Sequence, residues 1–152
     1  MAWLDQNVAD NLLGNARPKT YDLCRQDGWW FSLFYRWWQE GANGKPMYEA
    51  VYSLYEDLMS YYNGQMGVQE LHEQWVNDPP NTTLIDAGAR AEFARVFAQG
   101  EDVTAAVGRL WEATAAQMET IYGVFYEDVG RAKDTIRAEG VQRALEECFP
   151  SL

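Results

Sequence analysis

One histidine, two cysteines and twenty-three carboxylates are the residues of this 152-residue chain whose chemistry could reach beyond packing. His72 stands in Leu71-His72-Glu73-Gln74-Trp75. That segment begins as a zinc-protease helix begins, then places Trp75 near where a second histidine would complete the ligand pair. Three residues before His72 stands Gln69, where a di-iron bundle takes a Glu from its Glu-x-x-His pair. No loop has the Asp-x-Asp-x-Asp-Gly spacing of a calcium site. A Cys or Ser nucleophile needs a base beside it, and nothing in the spacing brings Cys24 to the single His72. There is no Gly-x-Gly-x-x-Gly or Walker sequence; Gly41-Ala42-Asn43-Gly44 and Gly64-Gln65-Met66-Gly67 read as helix terminators. The sequence therefore nominates no catalytic residue, no metal ligand and no cofactor. A small enzyme or metalloprotein using His72 and nearby carboxylates stands as a second alternative.

The acids are the larger signal because of where they fall. Residues 46–89 hold Glu49, Glu56, Asp57, Glu70, Glu73, Asp78 and Asp86 with no Lys or Arg, a charge of −7. Residues 110–130 hold Glu112, Glu119, Glu127 and Asp128, again unopposed, a charge of −4. Elsewhere acids and bases cancel, so the net −11 is a patterned field that biases which partners a surface can meet. Glu49 and Glu56 are seven residues apart, as are Glu112 and Glu119, which sets each pair on one helix face about 10.5 Å apart along the axis. One reading is an ordinary solvated exterior. The sharper one packs the two helices side by side and merges these acids with Asp57, Glu70, Glu73 and Asp78 into one electronegative surface.

The elements that must position these residues read as helices, with Gly and Pro as punctuation and no strict two-residue alternation. The spacing predicts a helix from about Trp3 to Leu13, a turn of helix at Tyr21 to Arg25, and an aromatic helix over Trp29 to Glu40. Pro46 fits the first turn of a helix running to about Asn63. Its apolar side carries Val51, Leu54, Leu58, Tyr61 and Tyr62. A stripe of Tyr48, Tyr52, Tyr55 and Met59 lies between that side and the acids, which suits a contact surface because a tyrosine ring is apolar and its hydroxyl is wet. Packing inside the domain is the competing reading of the same stripe. A short helix follows from about Gly67 to Val76, then a loop whose Pro79 and Pro80 forbid a helix. Further helices are expected at Ala87 to Ala98, capped by Asp86, from near Asp102 onward, and from about Ala132 to Cys148. Gly123 and Gly130 predict a kink or break in the long one. The fold class is all-α, a compact single-domain bundle of six or seven helices.

Seven Trp, nine Tyr and six Phe supply more buriable area than a disordered chain carries. Met1 to Val8 lacks a signal peptide's basic start and apolar stretch, and no apolar run approaches the roughly 20 residues that span a bilayer. A cytoplasmic protein with reduced cysteines is expected. With three Lys and nine Arg, direct nucleic-acid binding and an anionic membrane surface are both disfavoured.

These readings combine into an acidic, non-catalytic binding protein whose partner is a basic protein surface or a nucleic-acid-binding protein. Its sharpest form is an inhibitor or nucleic-acid-mimicking decoy of the phage anti-defence type, such as an anti-CRISPR, acting in host cytoplasm. The expected partner-binding residues are Glu49, Glu56, Asp57, Glu70, Glu73, Asp78, Glu112, Glu119, Tyr48, Tyr52 and Tyr55. The alternative is an assembly subunit, a homodimer for example, formed through the aromatic helix at 29–38; the same helix could equally be the centre of the bundle.

Overall fold

The computed structural model describes residues 2–41, 46–77 and 87–151, and within them the chain is helical with no strand. Its contacts group into two compact units, one of Met1–Lys45 with Glu119–Leu152 and one of Pro46–Met118.

The first unit opens with α1 (Gln6–Leu12), α2 (Tyr21–Gln26) and α3 (Gly28–Arg36). Each begins at a side chain that satisfies an otherwise orphaned N–H: Asp5 accepts from Val8 at 2.8 Å, Thr20 from Leu23 at 3.3 Å, and Asp27 from Trp30 at 2.9 Å. From α3 the chain runs into a π turn, Trp37–Gly41. The aromatic segment is the core of this unit. Trp30, Leu33, Phe34, Trp37 and Trp38 are all buried, whereas Tyr35 of the same segment is exposed. Phe34 lies at the centre, its ring 5.3 Å from Phe125, 5.6 Å from Tyr21, 5.8 Å from Trp37 and 6.2 Å from Tyr122. Burial of each such ring contributes about 1.5–3 kcal/mol, and their edge-on and tilted geometries add to it.

In the second unit α4 (Pro46–Tyr62) is followed by α5 (Val68–His72), which continues into a second π turn, Glu73–Asn77, and then by α6 (Ala87–Ala98). The core here is mainly aliphatic: Leu54, Leu58, Leu71, Phe93, Val107 and Leu110 close around the indole of Trp75.

The long helix α7 (Thr104–Glu139) supplies residues to both units, and α8 (Val141–Glu147) completes the first. The expected break at Gly123 or Gly130 does not occur, since α7 runs unbroken through 36 residues. The chain breaks instead at Gly140, whose φ of 93° is open to glycine and strained for other residues. The helix expected from Ala132 therefore divides into the end of α7 and the separate α8. Eight α-helices and two π turns stand among the described residues, where six or seven helices were expected. None of these helices is long and apolar enough to cross a membrane. The Asp86 cap and the proline loop lie outside the described residues.

Candidate docking surface

Separating the units sharpens the charge pattern. Residues 46–118 hold eleven acids against three arginines, a charge of −8, while residues 1–45 and 119–152 hold twelve acids against nine bases, −3. The second unit thus carries most of the field.

Within that unit Glu49, Glu70, Glu73 and Glu112 are exposed, and no cation among the described residues comes within ion-pair distance of any of the four. Glu56 and Asp57 are half-buried on α4. Asp57 accepts the indole N–H of Trp75 at 2.7 Å. Burial raises the pKa of its carboxyl; the Trp75 hydrogen bond opposes that rise, and the neighbouring charges of Glu56 and Glu70 add to it. Asp57 of α4 thus lies close to the α5 segment and the π turn that follows it. The meeting has a cost, because part of this carboxylate is committed to holding Trp75.

Glu119 belongs to the first unit, where its Oε1 accepts the backbone N–H of Tyr21 at 2.9 Å. Tyr55 is 3% exposed and its ring stacks on Trp111 at 4.8 Å, so the expectation that it lies on a contact surface is corrected: this part of the stripe is core. Tyr52 is half-buried. Asp78 and the side chain of Tyr48 lie outside the described residues.

The exposed aromatic of this unit is one that periodicity put on the apolar side. Tyr62 is 51% exposed, packs edge-on to Trp111 at 5.8 Å and touches Tyr61 at 5.3 Å. Burial, the neighbouring Tyr61 and the charge of Glu112 hold its hydroxyl above the ordinary tyrosine pKa, which places Glu112 beside it. Tyr61, Tyr62, Trp111 and Glu112 thus pair aromatic faces with a carboxylate. The available signal was position: Tyr62 is the last residue of α4, where a helix face can run past what covers it.

The other chemistry-bearing residues are absorbed by packing. His72 is 9% exposed, its ring stacked on Phe97 at 4.0 Å, which is a core placement. Cys24 and Cys148 are both free thiols. Burial pushes the Cys24 thiol up to about 12, with the charges of Asp27 and Glu119 adding to the rise, so it is not a thiolate at neutral pH. Asp128, counted in the sequence with the unopposed acids, is fully buried in the first unit. It accepts the indole N–H of Trp37 at 2.6 Å and the backbone N–H of Ser151 at 3.1 Å, and also bonds the Ser151 hydroxyl and Arg131. No three His, Cys, Asp or Glu side chains gather as a metal-ligand set among the described residues.

No known family model matches this sequence, and neither the curated proteins nor the solved structures provide a match.

Proposed function

We propose that the chain is a non-catalytic binding protein whose second unit docks on a basic protein surface. The observation that carries this reading is the pairing of −8 within 46–118 with four exposed glutamates that have no cation beside them among the described residues. Like charges held on one small body repel, and the field they make speeds encounter with a cationic partner. The Tyr61, Tyr62, Trp111 and Glu112 cluster supplies what a guanidinium or ammonium seeks once contact is made, an aromatic face beside a carboxylate. The most concrete form is a decoy that fills the nucleic-acid groove of another protein in the cytoplasm, as an anti-CRISPR of the nucleic-acid-mimicking kind does.

The test combines charge and competition. Partner capture by the wild-type chain is expected to weaken as salt rises and to be displaced by duplex DNA. The combined change Glu49→Lys, Glu70→Lys, Glu73→Lys and Glu112→Lys is expected to abolish capture while leaving the fold intact by circular dichroism, since exposed substitutions each shift stability by about 0.5 kcal/mol or less. Capture that survives both high salt and the four reversals sinks the acidic-face reading. Capture that DNA does not displace removes the decoy form.

A further inference from the structure

The first unit carries a groove of about 460 Å³ lined by Arg17, Tyr126, Glu127, Gly130, Arg131 and Asp134. The groove is open to solvent along one side, so a ligand there would be held by a few polar contacts rather than enclosed. Arg17 is half-buried and pinned there. Its Nη1 donates to the Tyr126 carbonyl at 3.1 Å, and its guanidinium lies over the Tyr126 ring, 4.1 Å from the centroid. It comes so close to α7 that a Cβ at Gly130 would meet Nη1 at 2.9 Å. The glycine inside this helix is therefore the space in which the arginine lies. No carboxylate among the described residues reaches ion-pair distance of Arg17, so the Nε and Nη2 edge of its fork is left without a protein partner. A half-buried guanidinium with an open edge is notable in a chain of net charge −11. Arg131 joins it from α7, anchored at one end to buried Asp128 and otherwise exposed. Lys133, near enough for Arg17 and Arg137 to lower its pKa below what burial alone gives, donates to the Asn15 carbonyl at 2.8 Å, and Arg137 pairs with Asp134 at 3.6 Å.

We propose that this groove binds a small organic molecule bearing a single carboxylate, taken two-pronged on the open edge of Arg17 with Arg131 beside it. A planar guanidinium fork matches a carboxylate in geometry as well as charge. Glu127 lines the same groove and repels a second negative charge, as does Asp134 to the extent that its partner Arg137, 3.6 Å away, leaves it uncompensated, which sets the ligand class at one charge rather than a phosphate dianion.

Benzoate is the probe, its neutral isostere benzamide the control and hydrogen phosphate the competitor class. Titrating benzoate into the full chain is expected to shift the arginine side-chain NMR signals of Arg17 and Arg131 to saturation. Benzamide is expected to leave them unmoved, and phosphate to bind more weakly than benzoate. Arg17→Lys keeps the charge and loses the fork, and is expected to weaken benzoate at least tenfold. Asp134→Asn, an exposed change on the groove wall, is expected to tighten it severalfold, so the proposal stays testable if Arg17→Lys misfolds. Shifts that never saturate, equal response to benzamide, phosphate binding tighter than benzoate, native-like benzoate affinity in folded Arg17→Lys, or no tightening in Asp134→Asn each overturn it. These residues and readouts are separate from those of the acidic face, so either idea can fail alone.

Discussion

Asp128 in the first unit and Asp57 in the second each accept a tryptophan indole N–H, at 2.6 Å and 2.7 Å, and they differ in everything around that bond. Asp128 is fully buried, with further donors from Ser151 and Arg131, so its lone pairs are used and its charge is compensated. Asp57 is half-buried, with Trp75 donating to it and two glutamates near enough to raise its pKa. The contrast extends to their units. In the first, Asp5 and Glu40 share Arg36 and Glu119 is tied to the Tyr21 N–H, so acids become structural parts. In the second, Glu49, Glu70, Glu73 and Glu112 face solvent, while Glu92 pairs with Arg109. The lesson is that one residue type serves stability where donors converge on it and serves as a field where none do.

Breaking the first unit's network has the largest expected effect. Asp128→Ala strands the Trp37 indole and the Ser151 groups and is expected to cost on the order of 3–5 kcal/mol in urea unfolding. A loss below about 1 kcal/mol would mean that the buried carboxylate is incidental to the core. Trp75→Phe keeps an aromatic side chain and removes the indole N–H that Asp57 accepts, with an expected loss of about 1–3 kcal/mol by the same measurement. A loss as large as that of Asp128→Ala would erase the contrast between the two sites.

The smallest effect depends on pH. The folded pKa of Asp57 lies above its unfolded value, so its contribution is fully present below the unfolded pKa and is lost as pH rises through the folded one. Asp57→Asn keeps an acceptor for Trp75 and removes the ionisation. The variant is expected to melt slightly above wild type at neutral pH, with the difference vanishing in acid below the usual carboxylate range. A gain that persists in acid would assign the effect to something other than charge.

Much of the architecture was legible along the chain. Pro46 and Gly64 bracket a helix that ends at Tyr62, Ala87 to Ala98 is a helix with the expected bounds, and Tyr21 opens a short helix as read. The all-α class followed from periodicity, which reports each helix's own apolar side. Gly123 and Gly130 misled because propensity is a weak prior that tertiary packing overrides, and at Gly130 the packing partner is Arg17, 113 positions away in sequence. Of the acidic site, Glu49, Glu70, Glu73 and Glu112 stand exposed as expected. Tyr55 is buried instead, since spacing along one helix carries no information about what will cover it.

By itself the sequence determined helical content, the partition of charge that leaves 46–89 at −7 and 110–130 at −4, and the lack of a metal or nucleotide motif. Those properties are local, set by residue order and by the 3.6-residue turn. Only the tertiary structure decided which carboxylates became hydrogen-bond hubs and which stayed in solvent, which aromatic of α4 was left outside, and that Arg17 would lie in a groove against Gly130. Each of these is a contact between residues far apart in sequence, and it exists only once the helices that carry them have packed.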